Sequence, residues 1–393
     1  MNESFNIHYA AGKVIAVLHK TFANASDKDI AGILEGIPYE KAEVIYHASR
    51  TAAGNGAGDI LLIELINKDK SAVIDAIELL SAKQSVLYAE PDYEEELHLV
   101  PNDPLYSQLW GTLRIGAPKA WEYTTGQPGV SVGVIDTGID YRHPDIAENM
   151  WASYNRQLQN GWNFAANDSH SIDTDGHGTH VAGTVGAVGN NGIGITGICW
   201  NVKTVSLKFG LDVASAVAAI DFANYFNIPI LNASWGGRYY SWALKLAIEE
   251  YEGLFIASAG NNGSNNDFEP IYPASYDSGN IISVAATNPN NELAGFSNYG
   301  VRNVDIAAPG TEILSLGLNG EYSTQNGTSM AAPHVAGAAA LLKSFYPSLS
   351  AKESKRIILS SAVRHPSLTG KVLTGGILNV NDMFALASDV LSP

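Results

Sequence analysis

The sequence predicts an α/β protein: a parallel sheet flanked by helices, preceded by a small α+β ferredoxin-like unit. Three observations predict it. From about Trp121 onward, strand-like and helix-like segments alternate, which requires a parallel sheet covered on both faces. Residues 13–89 follow a different order, β-α-β-β-α-β, the split ferredoxin-like pattern. Between the two lies "EPDYEEELHLVPNDP", residues 90–104, acidic and proline-bearing as linkers are.

In the first unit, residues 13–18 read as a strand, Asp27–Glu35 as a helix and Glu43–His47 as a strand. The run "DILLIELI" at residues 59–66 is a strong strand, Lys70–Ala82 has helical apolar spacing, and Gln84–Ala89 closes the unit as a strand. In the second unit, "GVSVGVID" is a strand ending at Asp136. His177–Val188, Val213–Phe226, Ser241–Tyr251, Thr328–Phe345 and Ala351–Ser361 read as helices. Val202–Lys208, Pro229–Ser234, Leu254–Ser258, Ile281–Ala286 and Val304–Ala308 read as strands. Chemistry in such sheets gathers at the carboxyl ends of strands, where Asp136, Ser234 and Asn261 would fall.

Composition narrows the function. The 393 residues are 46% hydrophobic and 16% charged, enough apolar mass for a large core. A formal net charge of −17 argues against nucleic acid and against an anionic membrane surface as partners. No run reaches the ~18 consecutive apolar residues of a membrane span, and the first residues carry no signal-peptide pattern. The single cysteine, Cys199, excludes an internal disulfide and reads as a packed thiol.

Four short stretches carry candidate chemistry, and a fifth, "GIGITG", only imitates a motif. "DTDGHGTHVAGTVG", residues 173–186, sets His177 and His180 three apart on one helix face. A zinc pair would need a third ligand and a base, and no H-E-x-x-H is present. "GIGITG", residues 192–197, matches a dinucleotide fingerprint in letters only, because it precedes a strand rather than a helix. Ser329 stands at a helix start, where it could cap the helix or act as a nucleophile beside free N–H groups. Asp136 could make a loop turn or orient a histidine. Asn261 could sit in a left-handed turn or donate to an oxyanion.

Together these stretches resemble the four signature blocks of the subtilisin-like serine proteases: "VIDTGID", "DGHGTHVAG", "ASAGNNG" and "NGTSMAAPHVAG", in the family's order, over residues 103–388. A reading as an α/β-hydrolase esterase fails, since that needs G-x-S-x-G and the order Ser, Asp, His. The resemblance implies an α/β subtilisin-like fold in residues 99–393, after a ferredoxin-like propeptide in residues 1–98. It implies Ser329 as nucleophile, His177 as general base, Asp136 as its orienter and Asn261 as an oxyanion donor. His180 is then a packed structural histidine.

The resemblance further implies protein or peptide substrates, the chain's own propeptide as inhibitor, and self-cleavage near Glu96–Val100. Ser234, Trp235 and Gly236 would line the primary pocket, with Gly260 on its far wall and Ile271 near its floor. Calcium is the implied cofactor. "VGNNGIGI", residues 188–195, resembles the family's calcium loop, with Val188, Ile193 and Ile195 giving carbonyls and Asn191 its side chain. Asp145 and Asp103 complete the set, with Gln108 as the rival to Asp103. Where relatives often carry "GVAP", this chain has "GICWN". The family points to an extracellular protein, and the alternative function is an inactive binding relative.

Overall fold

The computed structural model describes residues 9–48, 56–93 and 99–391, with side chains through Ser388. The chain divides into two compact units, Met1–Leu97 and His98–Pro393.

The first unit runs β1 (Tyr9–His19), α1 (Asp27–Ile33), β2 (Tyr39–Tyr46), β3 (Ala57–Leu65), α2 (Lys70–Ser81) and β4 (Val86–Tyr93). Its antiparallel sheet has the order β2-β3-β1-β4. Both helices start where a side chain takes an orphan N–H: Ser26 and Asp29 form a capping box on α1, and Asp69 caps α2. One sheet face buries Val14, Ala16, Leu61 and Ile63 against Ile30, Val73 and Leu80. Here the expected linker begins too early, since β4 continues through Pro91 to Tyr93. β4 is an edge strand, where a proline costs no ladder bond on its open side. The expected self-cleavage segment, 96–100, has Glu96–His98 outside the described residues.

In the second unit, short helices α3 (Trp110–Arg114) and α4 (Ala117–Ala120) precede the alternating region. That region runs β5 (Ser131–Asp136), β6 (Gly161–Asn163), α5 (His177–Gly186), β7 (Lys203–Lys208), α6 (Val213–Tyr225), β8 (Ile230–Ala233), α7 (Trp242–Glu249) and β9 (Leu254–Ser258). It continues with β10 (Ile281–Thr287), β11 (Ile306–Pro309), the hairpin β12 (Ile313–Leu316) and β13 (Tyr322–Gln325), then α8 (Thr328–Phe345) and α9 (Ala351–Ser360). Strands β14 (Val363–Arg364) and β15 (Gly376–Ile377) and helix α10 (Val380–Leu391) end it.

The nine-stranded sheet has the order β14-β15-β11-β10-β9-β8-β5-β7-β6, parallel except for β14. Side-chain alternation assigns its two faces. Val132, Leu254 and Ile256 pack with α8, α9 and α10, while Ile135, Phe255 and Ala257 pack with α6 and α7. Strand β5 is the switch point: β7 lies on one side of it and β8 on the other. A crevice must open there, at the carboxyl ends. Among the described residues no helix is long and apolar enough to cross a membrane.

Candidate active site

Asp136 ends β5 and is 2% exposed. Its Oδ1 accepts the Thr137 N–H and meets His177 Nδ1, each at 2.8 Å. So Asp136 shapes its own turn and also orients the imidazole. His177 opens α5, and the next residue has to be small. A Cβ at Gly178 would stand 2.2 Å from the Gly138 carbonyl and 3.1 Å from Asp136 Oδ1. Glycine there lets the helix start lean against the end of β5.

Carboxylates surround this helix start. Asp173 Oδ2 accepts the Thr179 N–H at 3.0 Å and its hydroxyl at 2.7 Å, and Asp175 Oδ1 accepts the His177 N–H at 3.2 Å. Burial alone would push the His177 pKa down. The Asp136 hydrogen bond and the charges of Asp136, Asp175 and Asp173 outweigh it, so the pKa is raised above 6.5. His180, one turn on, is buried and directs Nε2 at the carbonyls of Ile313 (2.9 Å) and Ser323 (3.1 Å). Burial drives its pKa down to about 4. It is a neutral core histidine, and among the described residues no three His, Cys, Asp or Glu side chains converge as a metal cluster.

Ser329 is the second residue of α8, and its hydroxyl does not cap the helix. The cap comes from the loop after β9: Asn261 Oδ1 accepts the N–H of Thr328 at 2.8 Å and its hydroxyl at 2.9 Å. With Oδ1 so engaged, the amide Nδ2 lies beside Gly327. The left-handed turn residue is Gly260 (φ 110°), not Asn261. At Gly327 (φ 155°) a Cβ would stand 3.4 Å from Asn261 Nδ2 and 3.5 Å from Ser329 N. Two N–H donors therefore flank space that a side chain at position 327 would fill.

Ser329 is tied to the end of β8. Its Oγ donates to the Ser234 carbonyl at 3.0 Å, and Ser234 Oγ donates back to the Ser329 carbonyl at 2.7 Å. Ser234 shares the lining of a cavity of about 280 Å³ with Asp136, Thr137, His177 and Trp235. In this structure the Ser329 hydroxyl bonds Ser234 rather than His177.

The remaining expected pocket residues gather nearby. Trp235 donates Nε1–H to the Ile135 carbonyl at 2.8 Å and packs on Phe209, 4.8 Å between ring centroids. Ile271 fills the space between the two expected walls: a Cβ at Gly236 would meet its Cγ2 at 2.7 Å, and one at Gly260 its Cγ1 at 3.4 Å.

The loop at 188–195 folds as a turn with Gly192 and Gly194 at positive φ. Asp145 is fully buried. Its carboxylate accepts the Asn191 amide (2.9 Å), the Ile195 N–H (2.9 Å) and the Tyr322 hydroxyl (3.2 Å). Burial raises its pKa to about 6, and the nearby Asp103 charge adds to the rise. Asp103 accepts the N–H groups of Asn190 (2.7 Å) and Asn191 (3.2 Å), so of the two rivals it is Asp103 that touches the loop. Among the described residues, the carbonyls of Val188, Ile193 and Ile195 accept no hydrogen bond. Cys199 is buried, its thiol pushed up to about 12 by burial.

Sequence reasoning missed Thr328, Asp173 and Tyr322. Thr328 hides beside the serine, Asp173 lies six residues from the N–H it caps, and Tyr322 arrives from the unread β12–β13 hairpin.

Carboxylate, imidazole and serine in this chain order, about the carboxyl ends of the central strands of a parallel sheet, match the architecture of the subtilisin-like fold. The model of the Subtilase family matches residues 127–383, and the chain belongs to this family. It is 38% identical over 277 residues to the thermophilic serine proteinase of Bacillus sp. (strain AK1), covering 68% of this chain and 66% of that protein. It is 39% identical over 242 residues to subtilisin DY of Bacillus licheniformis, covering 59% of this chain and 83% of the relative. Against subtilisin-like protease 2 of Plasmodium falciparum the match is 33% over 309 residues, covering 73% of this chain but 23% of the relative. The chain thus spans just under two thirds of the Bacillus proteinase and less than a quarter of the Plasmodium protease. A solved protease of Pseudoalteromonas arctica superposes with a TM-score of 0.65 at 29% identity, covering 74% of this chain and all of that one.

Proposed function

We propose that the protein is a serine endopeptidase made as a zymogen. The observation that carries this is the 2.8 Å bond from Asp136 to His177 in one cavity with Ser234, the residue that holds Ser329 by two hydrogen bonds. In the reaction, Ser329 Oγ turns from Ser234 to His177 and attacks a peptide carbonyl while Nε2 takes its proton. Asp136 holds the imidazole's tautomer and stabilises its charged form. Asn261 Nδ2 and the Ser329 N–H receive the oxyanion. His177 then gives the proton to the leaving amine, and water releases the acyl group by the same steps reversed.

The first unit would be the inhibitory propeptide, cut from the second near residues 96–100. Mass spectrometry of the expressed chain against Ser329→Ala tests this: the wild type should yield a shortened chain and the variant the intact 41.8 kDa protein. Equal intact masses overturn self-processing. A fluorophosphonate probe should label Ser329 in the matured protein. Failure to label, with no peptide hydrolysis, favours the inactive binding relative.

Ile271 would shorten the primary pocket, so small or medium apolar side chains should be preferred before the cut bond. Ile271→Ala should shift preference toward Phe by roughly tenfold in kcat/KM. Calcium fits the 188–195 loop. Asp145, the Asn191 side chain and the carbonyls of Val188, Ile193 and Ile195 form an all-oxygen donor set, with Asp103 beside it, as a hard cation needs. Bound there, the ion would neutralise the buried carboxylate and brace the loop. Chelation should lower Tm, and calcium should restore it. Such a requirement suits a calcium-rich exterior, and we assign the protein an extracellular place of action.

A further inference from the structure

Strand β8 carries one polar side chain in an otherwise apolar run. Asn232 is fully buried, and its register neighbours on the two flanking strands are Val134 and Ile256. Its Nδ2 donates to Ser234 Oγ at 2.9 Å, while its Oδ1 accepts no hydrogen bond among the described residues. A buried amide oxygen without a donor costs free energy that an apolar side chain of the same shape would not. The core alone would be better served by leucine. What the amide supplies is its N–H group.

That N–H group starts a chain of two donors. Ser234 Oγ receives it and donates its own proton to the Ser329 carbonyl at 2.7 Å. A hydroxyl has a single proton to give. An amide turned the other way would set Oδ1 in competition with the Ser329 carbonyl for that proton, so the N–H group decides where the proton goes. The Ser329 carbonyl needs an outside donor because its helical partner four residues on is Pro333, which has no N–H.

We propose that Asn232 is a positioning residue for Ser329, acting through Ser234. The inference rests on the endopeptidase reading and adds to it a residue that touches neither substrate nor reacting atoms. Ser329 Oγ donates to the Ser234 carbonyl at 3.0 Å and has to leave it to reach His177. The Ser234 hydroxyl keeps its hold on the Ser329 carbonyl meanwhile. The main chain that carries Oγ and the oxyanion N–H then stays in place while the side chain turns, and Asn232 keeps the holding hydroxyl aimed.

The test is a double-mutant cycle in the matured protein with Asn232→Leu and Ser234→Ala. Leucine matches asparagine in shape and removes the unpaired oxygen, so Tm should stay level or rise. kcat for peptide hydrolysis should nevertheless fall about fivefold, the worth of one hydrogen bond, with KM unchanged. The rate at which a fluorophosphonate labels Ser329 should fall by the same factor, since that probe needs the nucleophile and not the peptide subsites. A merely structural amide would instead move Tm and activity down together. In the Ser234→Ala background, Asn232→Leu should cost nothing further. Should Asn232→Leu not accumulate as folded protein, Asn232→Ala runs the same cycle, because the coupling is a ratio within each background. Wild-type kcat and labelling in the position 232 variant, or an undiminished loss after Ser234→Ala, overturns the assignment. A wild-type protein that neither labels nor cuts peptides overturns the endopeptidase reading beneath it.

Discussion

The two helices that carry the proposed reacting groups begin in opposite electrostatic surroundings. Helix α5, with His177 at its start, is capped by carboxylates: Asp173 on Thr179 and Asp175 on His177 itself. Helix α8, with Ser329 at its start, has no acidic residue in its first turn and is capped by the neutral amide of Asn261. The difference matches the charge each end would meet. An imidazole that must become a cation gains from nearby negative charge. A serine whose attack creates an oxyanion needs N–H groups not already satisfied by a carboxylate. The same backbone feature, a helix N-terminus, would thus serve two opposite charges because its caps differ.

That contrast can be broken most severely at Asp136. Asp136→Asn should lower kcat by about 10⁴, by favouring the wrong imidazole tautomer while leaving the fold in place. Steady-state hydrolysis of a peptide amide reads it. Next comes the cap on α8. Asn261→Ala should cost about 10²–10³ in kcat with little change in KM. Asn261→Asp keeps the capping oxygen but replaces the donor with a negative charge. Its kcat should fall at least as far while its Tm stays at or above that of Asn261→Ala. A Tm below the alanine variant would show that the charge of the cap, not its acceptor, is what α8 requires.

The smallest effect lies at Asp173. Activity that needs neutral His177 is lost as pH falls through its raised pKa. Asp173→Asn removes one of the charges raising it, so the acid limb of kcat/KM should move to lower pH by a fraction of a unit. Asp173 also titrates. Burial opposes its ionisation, but its bonds from Thr179, Asp175 and Gly176 hold the carboxyl below its usual 3.8. A depressed carboxylate contributes stability that is present above its unfolded value and lost as pH falls through the folded one. Stability differences between wild type and Asp173→Asn should therefore be full at neutral pH, about 1 kcal/mol as for a lost cap, and shrink below pH 4. Urea unfolding across that range reads them.

Much of the architecture was legible because local pattern and tertiary role coincide. Thr328–Phe345 is a run of small and apolar residues, and the structure makes it one helix of that length with nearly every side chain buried. The β-α-β-β-α-β order of the first unit was legible from clean changes of period. What escaped was structure held by partners distant in sequence. The β12–β13 hairpin has strands of only four residues, β13 is polar, and β12 packs against α5, which is distant in sequence. Helix α10 was not read either. Its Met383, Phe384 and Ala387 are apolar at helical spacing, but Asn381 and Asp382 precede them with turn-like character. In the site, each block pointed to a residue type at a place, but no block could show that Ser234 and Ser329, 95 residues apart, exchange hydrogen bonds. Nor could "GNNG" reveal that the first asparagine spends its oxygen on α8.

The burial of α8 has a consequence in time as well as in space. Of its eighteen residues only Lys343 and Phe345 are not buried, and its contacts reach strands β5, β8, β9, β10 and β11. Its amide protons can then exchange with solvent only when the whole second unit opens. Hydrogen exchange should therefore be slowest in the helix with Ser329 at its start. An endopeptidase among copies of itself would be cut only as often as it unfolds. Anchoring the proposed nucleophile in that helix would tie the lifetime of the proposed active site to the lifetime of the fold.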